Sequence, residues 1–281
     1  MDKSAFEQIY RSLKTGYRYR TVGQIGIFTL PEFEKQAGID HGFSARTGGV
    51  SRGYFSSLNL SFTRPEDREN VMENYRRFCS AAAIPEASMV MDNYEHGTTV
   101  FAVDAADCGK GYTRESLPFC DGLVTNDPRV TLVTGHADCM AFYFYDPVSR
   151  SIGLCHAGWR GALGRIGCQV VQRMREHYGA LPENIFAGLG PSICGSHFEV
   201  GADVADAFCN AFPDIDIRTE GAPQKAYIDL WRVAAKQFLE SGILPEHISL
   251  MQLCTVEDDR LFSHRGDHGH TGGMSAYLRL M

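Results

Sequence analysis

Cys139 and His156 are the side chains in this 281-residue sequence whose types and spacing point most directly to chemistry. Cys139 stands just ahead of the apolar run AFYFY (141–145), and His156 follows the run SIGLC (151–155). A thiolate and an imidazole that meet can share a metal ion or form a nucleophile–base pair. The blander alternative is a buried core cysteine beside a structural histidine. The polar neighbours His136 and Asp138 favour a site. A three-ligand zinc site keeps a fourth position open for water or substrate. The close-paired cysteines of a structural zinc site do not occur around Cys139. A metal site and a metal-free Cys–His pair both remain open on these residues alone.

The element that must bring the two together is a hairpin. The near-alternating runs at 141–145 and 151–155 flank DPVSR, which has the composition of a tight turn. The midpoint between residues 139 and 156 falls between Pro147 and Val148, inside that turn. Pairing symmetric about this point sets Cys139 directly opposite His156, with Cβ atoms roughly 4.5–5.5 Å apart. A slip of one residue would send one of them to the other face. A third metal ligand has to come from elsewhere. His96, between two strand-like runs and followed by Gly97, is one candidate, and His136 is the local alternative; spacing does not choose between them.

The remaining elements alternate in type. QIGIFTL (24–30), MVMDNY (89–94), TTVFAVD (98–104), DGLVT (121–125), VTLVT (130–134), residues 225–229 and HISLMQLCT (247–255) read as strands. RPEDRENVMENYRRFCSAAAI (64–84) reads as a helix with Pro65 in its first turn and Val71, Tyr75, Phe78 and Ala82 at helical spacing. GWRGALGRIGCQVVQRMREHYG (158–179) reads as one amphipathic helix, with Leu163, Ile166, Val170, Val171 and Met174 as its apolar stripe and Gly179 as its C-cap. Further helices fall near 202–211 and 230–242. Strands and helices interleave, yet several strands look hairpin-connected. That favours α+β with a mixed, largely antiparallel sheet. With no repeat or linker, residues 1–281 read as a single domain, in which 1–20 is an N-terminal extension.

Composition limits the function. The chain is 44% apolar and 22% charged, with a net charge of −7, which argues against general nucleic-acid binding. No apolar run approaches the roughly 20 residues of a membrane span, and the N-terminus lacks a signal-peptide core. Nine cysteines without a framework read as reduced thiols in a cytoplasmic protein. The Gly-Ser-Arg loop at 42–53 is suited to an anion through its backbone N–H groups and Arg46, or is simply a surface loop. Within SHRGDHGH (263–270), His264 and Arg265 are the more suggestive pair.

Several segments together resemble the YfiH/LACC1 family: GFSARTGGVSRGYFSSLNL, EHG, DGLVT, HADC, HAGWRG, GPSIC with FEVG, and CT with LFSHR and TGGM, in order from residue 41 onward. That family is described as purine nucleoside phosphorylases and adenosine deaminases, and was earlier labelled multicopper polyphenol oxidase or laccase. The resemblance implies a layered α/β/β/α sandwich like that of bacterial deamidase toxins. Carried over by motif, it implies zinc ligands at His96, Cys139 and His156, with Asp138 as a catalytic neighbour and Arg46, His264 and Arg265 at the substrate pocket. It implies a zinc enzyme, with copper as an alternative metal. The reactions implied are phosphorolysis of adenosine, inosine, guanosine or methylthioadenosine, and deamination of adenosine. The partners would be a purine nucleoside and phosphate, with no nucleic acid, no membrane and no defined oligomeric state. A laccase-like copper oxidase and a metal-free Cys–His hydrolase or deamidase are the competing functions. The sequence departs from the family pattern at Tyr94, at Met140-Ala141 after the DC pair, and at Gly273.

Overall fold

The computed structural model describes residues 1–281. Two large sheets lie face to face. The first is seven-stranded, in the order β1 (Lys14–Thr15), β15 (Ile248–Leu250), β11 (Phe186–Leu189), β9 (Met140–Asp146), β10 (Ser151–Ala157), β7 (Gly122–Thr125) and β6 (Val100–Ala102). The second is six-stranded, in the order β2 (Arg18–Val22), β3 (Ile25–Thr29), β4 (Ile39–Ser44), β16 (Met274–Leu280), β8 (Thr131–His136) and β5 (Met89–Met91). A small third sheet joins β12 (Glu199–Gly201), β14 (Lys225–Ile228) and β13 (Arg218–Glu220). The large sheets are mixed and mainly antiparallel, the parallel pairs being β1–β15, β15–β11, β6–β7 and β5–β8.

Period-two alternation in β9 and β10 builds two cores at once. Ala141, Tyr143, Tyr145, Ile152 and Leu154 face the second sheet and pack with Phe43, Leu132, Ala276 and Leu278. Met140, Phe142, Phe144, Cys155 and Ala157 face the opposite way, onto helices. Those helices are α1 (Lys3–Ser12), α4 (Trp159–Leu163), α5 (Ile166–Tyr178), α6 (Ala202–Ala211) and α7 (Leu230–Glu240). The short α2 (Pro31–Glu34) packs beside β4, and α3 (Arg68–Ala82) covers the far face of the six-stranded sheet. The layers therefore run α/β/β/α. Strands buried on both faces explain why the β9 run is almost wholly apolar.

Several boundaries differ from the sequence reading; the strands read at 89–94 and 98–104 are shorter, Met89–Met91 and Val100–Ala102, and three differences have a local cause. Helix α3 starts at Arg68, capped by the Asp67 side chain, so Pro65 lies outside it. The helix expected over 158–179 is two helices, separated at Gly164 and Arg165, where Arg165 has φ 59°. The Arg165 guanidinium is held outside both by Glu240 and the Ala211 carbonyl. The strand expected over 247–255 ends at Leu250. Gln252, at φ 49°, breaks the extended backbone, and Cys254 returns only as an isolated bridge to Ser192. No helix is long and apolar enough to cross a membrane, and all nine cysteines are free thiols.

Candidate metal centre

The β9–β10 register differs from the symmetric one. Ser151 pairs with Asp146 and His156 pairs with Ala141. The turn therefore comprises Pro147–Arg150, with its centre one residue later than expected, and Cys139 lies diagonal to His156 rather than opposite it. A shift of two positions preserves the face. His156 and Cys139 both project to the side of Ala141, Tyr143 and Leu154, at the end of the strands where that inter-sheet core stops.

The ligand atoms of His96, Cys139 and His156 all lie within 4.8 Å of one another. His96 reaches this point from the loop between β5 and β6, where it takes φ 65°. His136 belongs to a different network. It is buried, its Nε2 meets the Thr134 hydroxyl at 2.7 Å, and its Nδ1 meets the Cys139 carbonyl at 3.1 Å. Burial pushes its pKa well below the ordinary value, which keeps it neutral.

The HAGWRG segment makes room for the His96 loop. A Cβ on Gly158 would come within 2.6 Å of the His96 ring, and one on Gly161 within 2.8 Å of the Gly97 carbonyl. One on Gly164 would come within 2.5 Å of the Thr98 side chain. Three glycines at a spacing of three thus let the loop lie directly against α4.

Asp121, just before β7, organises the site and went unassigned in the sequence reading, although it opens the DGLVT motif. It is fully buried and accepts from the backbone N–H groups of Glu95, His96 and Gly97 at 3.2, 2.9 and 2.8 Å. Its Oδ1 also accepts from His156 Nδ1 at 2.9 Å. A carboxylate can only accept, so Nδ1 carries the proton and Nε2 is left for a metal. One aspartate thereby sets both the loop that carries His96 and the tautomer of His156. The only sequence signal was an acidic residue and a glycine at a strand start.

The electrostatics fit a donor set. Burial alone would raise the Cys139 thiol, but His156 and His96 outweigh it and bring its pKa down to about 7. Burial would lower His156, yet Cys139 and Asp121 raise it to about 10. Asp121 is pushed up by burial, and His156 and the backbone N–H groups more than offset that, holding it below the usual carboxylate range. Nearby, burial lifts Asp92 to about 8, and its Oδ2 has no hydrogen-bond partner.

A cavity of about 130 Å³ opens against this centre, lined among others by Asp138, Cys139, Trp159, Phe198, His264 and Arg265. Asp138, at φ 85°, has both carboxylate oxygens engaged, one by the Thr255 hydroxyl and one by the Arg265 N–H, each at 2.6 Å. The Arg265 guanidinium donates to the carbonyls of His197 and Glu199, both at 3.0 Å. Arg46 does not line the cavity. It donates to the carbonyls of Ser56 and Leu261 and stacks on Phe262, anchoring the glycine-rich loop. Phe43 is fully buried behind His136. Tyr94 covers the ligands instead, its ring 4.5 Å from that of His156. At Gly273 a Cβ would meet that of Ser61 at 2.6 Å, so no side chain fits there without movement of Ser61.

A four-layered α/β/β/α protein with an open two-histidine, one-cysteine donor set at the edge of its inter-sheet core is the class these features define. The chain belongs to the multi-copper polyphenol oxidoreductase laccase family, whose profile matches residues 40–281. It is 34% identical over 242 residues to purine nucleoside phosphorylase YlmD of Bacillus subtilis, covering 84% of this chain and 87% of that one. It is 31% identical to human purine nucleoside phosphorylase LACC1 across 85% of this chain, which amounts to 55% of the longer human protein. Among solved structures, YlmD from Geobacillus stearothermophilus superposes with a TM-score of 0.86 at 31% identity, covering 93% of this chain and 98% of that one.

Proposed function

We propose that this chain is a purine nucleoside phosphorylase whose reaction centre is the cleft between His96, Cys139 and His156 on one side and His264 and Arg265 on the other. The observation that carries this is the convergence of three metal-competent donors, one of which, Cys139, lines a cavity that His264 and Arg265 also line. The names of the relatives supply the substrate class.

His96, Cys139 and His156 would hold a zinc ion. The residues fit one because thiolate and imidazole are its usual ligands, Asp121 presents the correct His156 nitrogen, and Gly158 leaves space that a side chain would fill. Bound there, zinc supplies Lewis acidity beside the reacting bond. In phosphorolysis a phosphate oxygen bonds to C1′ of the ribose, the C1′–N9 bond breaks, and the purine departs with the electron pair and takes up a proton. Arg265 has five N–H donors, of which two are engaged; the rest are available to hold phosphate in line. His264, exposed at the cavity wall, is placed to hydrogen-bond the nucleoside. Trp159 and Phe198 offer aromatic surface at the cavity, and Arg160 stacks on the Trp159 ring. The cavity is smaller than the roughly 300–1,000 Å³ of a ligand pocket, so it takes one end of the nucleoside. The open fourth position of the donor set also suits hydrolytic deamination of adenosine at the same centre. Asp138 then serves to position Arg265 and the Thr255 segment beside it.

The metal-free hydrolase reading gains one specific observation: Asp121, His156 and Cys139 are aligned as acid, base and thiol. A copper oxidase gains none, since such enzymes need several linked copper centres. The two Cys/His/acid clusters of this chain hold three histidines between them, His96, His156 and His197.

Metal analysis of the purified protein, combined with adenosine and inosine assays with and without phosphate, tests the proposal. Phosphate-dependent release of free base, lost together with the metal in Cys139→Ala, is expected. Inosine formed from adenosine without phosphate identifies deamination. Activity that survives metal removal but not alkylation identifies the hydrolase, and a Cys139→Ala variant that keeps both metal and activity overturns the site.

A further inference from the structure

A second donor cluster lies outside the centre described above. Cys194 and His197 sit on the turn after β11, and Cys254 and Glu257 on the segment after β15. Each pair has the spacing i, i+3, so two short turns face each other with two donors apiece. Their chains are already joined side by side: Ser192 N–H donates to the Leu253 carbonyl at 3.1 Å, and Thr255 N–H to the Ser192 carbonyl at 3.2 Å.

Four of the six edges of the donor set are close to those of a tetrahedral site, and all six are within 4.8 Å. Cys194 Sγ lies 3.1 Å from His197 Nδ1 and 3.6 Å from Glu257 Oε1. Cys254 Sγ lies 3.7 Å from His197 Nδ1, and His197 Nδ1 lies 3.3 Å from Glu257 Oε1. Ligands at normal zinc bond lengths in a tetrahedral site are separated by about 3.4–3.8 Å. Hydrogen bonding alone does not require such convergence, because the Cys194 thiol has one proton and two acceptors in reach. Both cysteines are buried, at 7% and 3% exposure, whereas the Glu257 side chain is 59% exposed. Cys194 also borders a cleft of about 910 Å³, which gives a metal a way in.

We propose that Cys194, His197, Cys254 and Glu257 form a second metal site, a four-coordinate structural site for zinc. Two thiolates and an imidazole select a borderline-soft cation over calcium or magnesium. Its place in the fold defines its role. Ile193 N–H donates to the Asp138 carbonyl at 3.0 Å, Thr255 to the Asp138 carboxylate, and Arg265 to the His197 carbonyl. A metal here clamps the two segments that build the cavity wall bearing Arg265. This inference stands apart from the nucleoside reading, since it concerns metal content and wall rigidity whatever the substrate.

Metal content of the full chain, purified after zinc supplementation and measured per folded protein, tests it. Wild type should carry one metal equivalent beyond that of the triad. Cys194→Ser/Cys254→Ser should lose that equivalent and keep the other, whereas Cys139→Ser should show the reverse. Glu257→Gln, at the exposed corner, should keep the site with weakened zinc affinity. Should the double variant not fold, wild type still decides: added Zn²⁺ must protect Cys194 and Cys254 from N-ethylmaleimide, read by peptide mass mapping. Unchanged metal content in the double variant, equal labelling with and without Zn²⁺, or a Cys194–Cys254 disulfide in the native protein would each overturn the proposal.

Discussion

Asp121 and His156 are joined twice. The His156 N–H donates to the Asp121 carbonyl at 2.7 Å, and His156 Nδ1 donates to the Asp121 carboxylate at 2.9 Å. Because the same carboxylate receives three N–H groups from residues 95–97, ligand orientation and loop position depend on one buried charge.

Replacing Asp121 by Asn should therefore damage more than a single contact. The amide retains one acceptor oxygen, and its NH₂ group must face N–H donors. Metal affinity, measured by chelator competition, should fall about 10–100-fold. Asp121→Ala should also lower folding stability, by about 1–3 kcal/mol for each buried donor left unpaired, as read by urea denaturation. A variant with wild-type affinity and stability would remove Asp121 from this role.

Gly158→Ala tests the steric side of the same design. The new methyl would enter the His96 ring position, where the Cβ distance is 2.6 Å. The backbone at Gly158 has φ −69°, which alanine adopts freely, so the fold should survive while His96 is displaced. Circular dichroism should match wild type, and triad metal affinity should fall at least as far as in Asp121→Asn.

In metal-free protein the Cys139 pKa lies below that of an ordinary thiol, at about 7. The thiolate then persists to lower pH, and alkylation of Cys139 by iodoacetamide should rise with pH through about 7 and level off above it. An inflection near the ordinary thiol value of 9.0 would contradict the His156–His96 environment. Zinc competes with the same proton, so it should suppress the reaction across the range and lose hold as pH falls.

Phe142 separates stability from chemistry. It is fully buried on the helix side of β9, with its ring 4.9 Å from that of Phe238. Phe142→Ala should cost about 3–5 kcal/mol in urea denaturation while leaving the triad competent to bind metal at low temperature, because Cys139 and His156 project from the opposite face.

How much was legible follows from the range of each signal. Alternation in the 141–145 and 151–155 runs specified the hairpin and the common face of Cys139 and His156, since the side-chain period of a strand is a local property. The register was missed by two positions because the turn comprises Pro147–Arg150, a choice made by loop geometry and not by hydrophobic pattern. Helix α5 and its Gly179 cap were readable, but the break at Gly164–Arg165 was not, since the groups that hold Arg165 there, Glu240 and the Ala211 carbonyl, come from distant parts of the chain.

By itself, then, the sequence determined the donor types, the face they share within the hairpin, the α+β alternation and the family motifs. Motif resemblance singled out His96 over His136; tertiary structure alone decided how His96 reaches Cys139 and His156, that Asp121 orders them, and that Arg46 holds a loop instead of lining the cavity. It alone brought Cys194 and His197 to Cys254 and Glu257, some sixty residues away. The physical reason is the same in each case. Periodicity reports which way a side chain points from its own element, whereas a site is made where elements meet. Sheet order, β15 beside β11 and β7 beside β10, has no local period from which it could be read.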